Sequence, residues 1–511
     1  MLPILSSDQI REVERLTMEH QPIAAIDLME QAGQACADRI KALLERNEIR
    51  LTNTSFHVLC GLGNNGGDGL VIARELARAG SNVRVTRIVH GASPSEANNV
   101  NWQRLREIGV RMKELREPGS PEIASEEVII DAILGSGIKR PIEGWLAEVI
   151  AAINGFANKI ISIDMPSGMP TDLDSGIERS VHIRAEHTFS LEIPKITMML
   201  PRYADAVGEL EIVPIGLDTE AMASQHTDHF LIERADAIEL LPPRPIAGHK
   251  GTFGHALIMA GSMGKVGAAI LAVKAALRSG TGLVSANIPD QAIPIMQQAA
   301  PEAMCMIEDG SGSRKYESFT AVGIGPGIGL SEDARRRLKD LIQDHDRIVV
   351  DADALNILSE ERTWLQFLPP NSILTPHPKE FDRLYGSVLS DDTDRLRSAR
   401  EFAMKHHCIL VLKGNRTAIC DPTGKVFFNS TGNPGMAKGG SGDALTGLIT
   451  GLLAQGISSL HAAILGVYLH GLAGDIAANK IGPDGMTVSD LIAAIPTAWK
   501  ELRSGSEKIF H

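Results

Sequence analysis

The chain has 511 residues, 43% of them hydrophobic and 22% charged. That length exceeds one ordinary core and the composition is that of globular domains, so at least two domains are expected. The formal net charge of −13 disfavours nonspecific nucleic-acid binding, which needs a basic face, but leaves room for a locally basic pocket. The five cysteines, Cys36, Cys60, Cys305, Cys408 and Cys420, are odd in number and show no C-x-x-C spacing, which reads as free thiols in a reducing compartment. The N-terminus has no basic segment followed by an apolar one, and no apolar run approaches the ~20 residues that span a bilayer. A cytoplasmic protein with neither nucleic-acid nor membrane partners is expected, and a homo-oligomer is the expected assembly.

In chain order, Ser6 and Ser7 are plausible caps for a helix carrying Ile10, Val13 and Leu16. Met29, Ala32, Cys36, Ile40 and Leu43 mark a second amphipathic helix. Phe56–Cys60 has strand character, the glycine-rich stretch 61–69 reads as a loop, and Leu70–Ala79 reads as a helix before a strand at Asn82–Ile88. Strand, glycine loop, helix, strand is a unit of a parallel sheet. Further strands are expected at Val128–Asp131 and Lys159–Asp164, each ending in an aspartate. A polar stretch, 218–228, and a Pro-rich segment, 241–245, place a boundary near residue 225, giving domains 1–225 and 226–511. The alternation then restarts: strands at His255–Ala260, Leu283–Ile288, Ala321–Ile324, Arg347–Val350, Ser372–Leu374 and Ile409–Leu412, with a helix at Gly267–Arg278. In open parallel sheets ligands bind beyond the carboxyl ends of strands, so polar residues there are the functional candidates.

The most informative segment is Gly432–Asp443, G-N-P-G-M-A-K-G-G-S-G-D, ahead of an apolar helix. Consecutive glycines let backbone N–H groups converge, and at a helix N-terminus they favour an anion. Asp443 in that first turn has two readings: a general base for a hydroxyl attacking phosphate, or an acidic residue that steadies the helix. Lys413, Gly414, Asn415, Arg416 and Thr417 form a turn that can embrace a nucleotide phosphate. Gly323–Gly329, Asp351–Asn356 and Thr375–Glu380 close other strands, and His377 by itself fits a structural role as well as a functional one. In the first half, Asn64-Asn65-Gly66-Gly67-Asp68-Gly69 sits where a dinucleotide loop would, without its G-x-G-x-x-G pattern. Asp131 and Asp164, at neighbouring strand ends, could hold a monovalent cation and serve as acid/base, or simply cap helices.

The C-terminal pattern from about residue 230 to 505 resembles the dehydratase domain of the bacterial bifunctional NAD(P)H-hydrate repair family. N-N-G-G-D-G with D-x-P-S-G over about residues 8–220 resembles that family's epimerase domain. The resemblance implies an α/β protein with an N-terminal Rossmann-like parallel-sheet domain and a C-terminal ribokinase-like domain. It implies epimerisation of R and S hydrates of NADH and NADPH, and dehydration of the S hydrate with ADP or ATP as co-substrate and Mg²⁺ on the nucleotide. By the resemblance Lys413, Gly414, Asn415, Arg416, Thr417 and Gly442 contact the nucleotide, and Gly267, Ala268, Gly327, His377 and Asp443 the hydrate. In the N-terminal domain Asn64, Asn65, Gly66, Gly67, Asp68, Asp164 and the run Gly135, Ser136, Gly137, Ile138, Lys139, Arg140 and Pro141 contact the hydrate. Asn65, Asp131 and Ser167 ligate K⁺. Asp443 and Asp164 are the expected catalytic groups. Lys438 and Asn415 stand where smaller residues are common, and Lys438 could alter nucleotide affinity. The alternative is a ribokinase-like kinase for a vitamin precursor or sugar, fused to a non-catalytic dinucleotide-binding module.

Overall fold

Near-continuous apolar runs make strands that are buried on both faces, as parallel sheets require, and both halves of the chain are built on such strands. The computed structural model describes residues 1–91, 93–173, 175–176, 180–306 and 316–504. It divides into two compact units: Pro3–Thr227, and the chain from Asp228 onward together with Met1 and Leu2.

The N-terminal unit opens with helix α1 (Ser7–His20), capped by Ser6 in a reciprocal capping box with Gln9; Ser7 instead bonds Asp172 through its hydroxyl at 2.7 Å. Helix α2 (Ala25–Arg46) carries the expected apolar stripe. Seven strands follow: β1 (Ser55–Cys60), β2 (Asn82–Ile88), β3 (Arg111–Leu115), β4 (Glu127–Ala132), β5 (Ile160–Ile163), β6 (His187–Leu191) and β7 (Glu209–Val213). They form one sheet in the order β3-β2-β1-β4-β5-β6-β7, parallel throughout. The chain winds outward from β1 to β3, then resumes at β4 on the other side of β1. That reversal opens a crevice at the carboxyl ends of β1 and β4, the usual ligand position in such sheets. Sequence pattern does not reveal β3, because as an edge strand, R-M-K-E-L, it carries charge where an inner strand carries apolar residues.

One local expectation is wrong. The stretch read as a loop up to residue 69 is largely helical, since α3 runs Asn64–Arg78 with Gly63 as its N-cap. The glycines there serve close packing. A Cβ at Gly66 would fall 2.1 Å from the carbonyl oxygen of Gly61, at Gly67 2.4 Å from Cε of Met29, and at Gly69 2.5 Å from Cβ of Ala132. Glycine's usual cost within a helix is offset here by a helix–sheet distance that no larger residue permits.

In the C-terminal unit the strands are β8 (His229–Ile232), β9 (His255–Met259), β10 (Leu283–Asn287), β11 (Met304–Cys305), β12 (Ala321–Ile324), β13 (Ile348–Val350), β14 (Ile373–Leu374), β15 (Ile409–Leu412), β16 (Ala418–Cys420) and β17 (Val426–Asn429). The sheet order is β8-β17-β16-β15-β14-β13-β12-β9-β10-β11. From β11 to β15 the pairing is parallel, and β15-β16-β17 is an antiparallel meander. The switch point lies between β9 and β12. Helices α4 (Val266–Arg278), α5 (Pro378–Tyr385), α6 (Ser441–Ala454) and α7 (Ser459–Ile481) matter for the site. The α7 helix is long and apolar enough to cross a membrane by length and composition, contrary to the expectation that no segment is. Its Ala462–Leu469 stretch is instead buried in the core of this unit.

If Gly69 exists for contact with β4, Gly69→Ala forces two Cβ atoms together. We expect a loss of about 1–3 kcal/mol of stability, read in chemical unfolding. Ala132→Gly in the same chain should recover most of it; no recovery refutes the packing role.

Candidate functional sites

In the N-terminal unit the polar groups converge where β1, β4, β5 and β6 end. Asp131, inside the end of β4, is fully buried. It accepts from the Ser167 N–H at 2.9 Å, the Ser167 hydroxyl at 2.5 Å and the Ser162 hydroxyl at 2.8 Å. Burial still pushes its carboxyl up, against the pull of those donors. Ser167 Oγ also takes the Leu134 N–H at 2.8 Å. Next in chain, Gly135 lies against Asn65, where a Cβ would come 3.0 Å from that of Asn65 and 2.9 Å from Oδ2 of Asp164. Both amide atoms of Asn65 are buried with no hydrogen-bond partner. An amide oxygen left unanswered in a buried place has spare capacity for an oxygen-seeking hard cation.

Asp164 follows β5 with a left-handed φ of 65°, a conformation uncommon outside glycine and asparagine or aspartate. Its Oδ2 accepts the Ser136 N–H at 2.9 Å, and its Oδ1 accepts from the ammonium of Lys195. Burial works to raise this carboxyl, but Lys195 and the Ser136 donors outweigh it and hold it below the usual range. Two further acids face the same place. Burial, then the Asp164 charge, raises Glu14 of α1 to about 7 and lifts Asp68 of α3 well above its ordinary value. Asn65, Gly135, Ser136 and Asp164 therefore come together. Lys139, Arg140 and Pro141 sit on an exposed rim, with Lys139 3.3 Å from Asp8.

In the C-terminal unit the ends of β13 and β15 meet the start of α6. Gly440, at a left-handed φ of 96°, is the N-cap and Asp443 lies in the first turn. Nothing lies within 4 Å of where a Cβ on Gly439 would be, and one on Gly442 would be 3.2 Å from Nζ of Lys413. Lys413 donates to Oδ1 of the buried Asp351 at 2.8 Å, with Glu380 3.8 Å away. Burial would lower the Lys413 ammonium, but those carboxylates raise it overall. Asp351 Oδ2 accepts the Thr446 hydroxyl of α6 at 2.8 Å. Burial, then the charge of Asp351, pushes Asp443 up to about 6, with Lys413 pulling the other way.

The remaining expected residues surround this crevice. Gly327, with φ 66°, follows β12 and packs against Ala268, where a Cβ would come 3.2 Å from the alanine's. Gly267 faces open space. Asn415, Arg416 and Thr417 shape the β15–β16 turn, where Arg416 N–H donates to Asn415 Oδ1 at 2.9 Å and the Thr417 hydroxyl to the Gly414 carbonyl at 3.2 Å. His377 caps α5, its Nδ1 accepting the Lys379 and Glu380 N–H groups at 3.1 and 3.3 Å. Lys438 is committed to the Asp484 carbonyl at 2.7 Å and to that of Met486, so it anchors a neighbouring loop instead of facing a nucleotide. Sequence reasoning missed Lys195, Glu14, Thr446 and His470. Lys195 left a signal, a lone lysine in the apolar run 193–200. His470 left none, although its Nε2 is buried without a partner.

Two doubly wound α/β units, one with an oxygen-lined acidic crevice and one with a glycine cradle flanked by lysine and carboxylate, define a two-site enzyme of nucleotide chemistry. The family model described as NAD(P)H-hydrate dehydratase matches residues 256–497, and that of the YjeF-related protein N-terminus matches residues 25–197. The bifunctional NAD(P)H-hydrate repair enzyme of Moorella thermoacetica is 34% identical over 99% of this chain and 98% of its own. That of Coxiella burnetii is 36% identical over 96% and 98%, and that of Escherichia coli 32% over 96% and 92%. Among solved structures, the Bacillus subtilis ADP/ATP-dependent NAD(P)H-hydrate dehydratase, co-crystallised with ATP and Mg²⁺, is 32% identical. It aligns over 53% of this chain and 97% of its own, with a TM-score of 0.48. The chain belongs to the bifunctional NAD(P)H-hydrate repair enzyme family.

The electrostatics of the C-terminal crevice are directly measurable. Carboxyl-labelled aspartate followed by NMR should show Asp443 titrating near pH 6. Lys413→Met, which removes the opposing cation, should move that midpoint higher. A midpoint near 4 in the unaltered chain contradicts the arrangement.

Proposed function

We propose that the C-terminal crevice dehydrates the S hydrate of NADH or NADPH at the expense of ADP or ATP. The observation that carries this is the open glycine cradle at the start of α6, with Asp443 in its first turn and Lys413 beside Gly442. Hydroxide is a poor leaving group from the hydrated ring. Asp443 takes the hydroxyl proton as the oxygen attacks the terminal phosphorus, and AMP or ADP departs. The N–H groups of Gly439–Gly442 and the Lys413 ammonium meet the charge that spreads over the transferring phosphoryl oxygens. The ring nitrogen lone pair then expels phosphate, and loss of a proton from the adjacent ring carbon restores the double bond. Among the described residues no group of three or more His, Cys, Asp or Glu forms a metal cage. Mg²⁺ would be carried on the nucleotide's phosphates and would neutralise their charge. Gly267, Ala268, Gly327 and His377 line the hydrate side, and Gly414–Thr417 the nucleotide side.

In the N-terminal crevice, the reading is interconversion of the R and S hydrates. Asp164 removes and returns the hydroxyl proton while the bond between that carbon and the ring nitrogen opens and recloses on the other face. Asn64–Asp68 and Gly135–Pro141 hold the dinucleotide. Asn65, Asp131 and Ser167 would hold K⁺, which supplies a fixed positive charge against the buried Asp131. A cytoplasmic location and a homo-oligomeric assembly belong to the same proposal.

Incubating the purified chain with mixed NADH hydrates and ADP, and following NADH absorbance, tests both halves. The wild-type chain should consume both epimers. Asp443→Asn should regenerate no NADH while still binding ADP, and undiminished turnover would remove its role as base. Asp164→Asn should stop once the S hydrate is spent, apart from slow spontaneous exchange; full consumption at the wild-type rate would defeat the epimerase reading.

Two solution conditions give separate readouts. A base must be ionised, so the dehydration rate should fall about tenfold per pH step below about 6; a flat profile down to pH 5 excludes Asp443. Replacing K⁺ by tetramethylammonium should slow epimer interconversion and leave dehydration of pure S hydrate unchanged. Equal interconversion in both salts would eliminate the cation site.

A further inference from the structure

The epimerase reading leaves one buried cation without a task. Lys195 lies four residues beyond β6 and is 1% exposed. Its ammonium has two partners, Oδ1 of Asp164 and the Ser190 hydroxyl at 3.0 Å. The other Asp164 oxygen is taken by the Ser136 N–H at 2.9 Å, which belongs to the loop after β4. The carboxylate is thus gripped from two sides, at a left-handed backbone φ of 65°, uncommon outside glycine, asparagine and aspartate. A buried ion pair is a poor way to gain stability, because apolar residues of similar size usually do as well or better. Such a pair at a ligand crevice points to a functional demand.

We infer that Lys195 is a positioning residue of the N-terminal site: its ammonium fixes the Asp164 carboxylate in the orientation from which that group exchanges the substrate's hydroxyl proton. This rests on the epimerase reading. Without Lys195 the carboxylate would keep one fixed contact, through Ser136, and would be free to rotate out of line. The neighbouring acids sharpen the need. Glu14 on α1 and Asp68 on α3 both feel the charge of Asp164 and are pushed toward their neutral forms, so Lys195 is the group that answers the one carboxylate left ionised there. Lys195 acts through Asp164, so the two should behave as one unit when removed together.

The experiment uses the full chain, with mixed hydrates for interconversion and pure S hydrate for dehydration. Lys195→Met should lower kcat for interconversion by about 100-fold, the size of effect expected when a general base is misplaced. Its KM should stay within about threefold, and dehydration by the same chain, which uses the other unit, should not change. Lys195→Arg should recover part of the rate, and propylammonium should partly restore Lys195→Ala. Asp164→Asn with Lys195→Met should be no slower than Asp164→Asn alone. Because that double variant removes both charges, it also covers the case in which Lys195→Met, with its carboxylate left unpaired, does not fold. Wild-type kcat in Lys195→Met overturns the inference, and so does a double variant slower than Asp164→Asn by a further 100-fold. If the wild-type chain itself fails to interconvert the epimers, the epimerase reading fails instead.

Discussion

A carboxylate withdrawn from water costs several kcal/mol unless a counter-charge or hydrogen bonds answer it, and both halves of this chain are arranged around that cost. In the N-terminal unit Asp164 is answered by Lys195 and Asp131 by two serines. In the C-terminal unit Asp351 is answered by Lys413 and Thr446. Each of these aspartates stands at the carboxyl end of a parallel strand, and its partner comes from a different strand end or helix. Satisfying the buried charge therefore joins elements far apart in sequence. The lysine that pairs with Asp351 is brought 62 positions along the chain, and only a sheet that sets β13, β14 and β15 side by side delivers it there.

The same constraint fixes what each crevice can do with protons. Asp164 is held ionised by its lysine, so it is ready to accept a proton across the neutral range. Asp443 is instead pushed up to about 6 by burial and by the charge of Asp351. It is still mostly ionised at neutral pH, yet basic enough to take a hydroxyl proton, the compromise that favours a general base. One residue type, an aspartate at a crevice, thus acquires two different working ranges from its surroundings.

Much of this was legible in the sequence. The alternation of apolar runs with glycine-bearing loops announced two parallel-sheet units, because buried strands and their helices keep distinct periods. The glycine block ending at Asp443 was legible because the cradle is contiguous. What stayed hidden was non-local. Arg111–Leu115 looks like no inner strand because it is an edge. Asn64–Gly69 reads as a loop by its glycines, yet it is helical because Met29, Gly61 and Ala132 press close upon it. Lys195 carries its meaning only beside Asp164, 31 residues away, and no spacing rule connects the two.

The surroundings of the glycines separate the two crevices more sharply than their sequence does. Both helices that open on a crevice begin with glycine-rich turns, and helix N-termini of this kind attract anions. At α3, Gly66, Gly67 and Gly69 are each blocked by protein within 2.5 Å of an added Cβ, so their missing side chains are used up by packing. At α6, Gly440 is likewise blocked, by Cδ1 of Leu271 at 2.5 Å, but the Gly439 position is open and an added Cβ on Gly442 would meet Nζ of Lys413 at 3.2 Å and Oδ2 of Asp351 at 3.7 Å. At the first crevice the ionised Asp164 would repel a phosphoryl group in flight, while Glu14 and Asp68 are pushed toward their neutral forms. At the second, Lys413 and the N-terminus of α6 would draw one in. This fits the proposed reading, in which phosphoryl transfer falls to the C-terminal unit and the N-terminal unit moves a proton and opens a carbon–nitrogen bond. That division is the one a repair enzyme needs when only one epimer of its substrate can be phosphorylated.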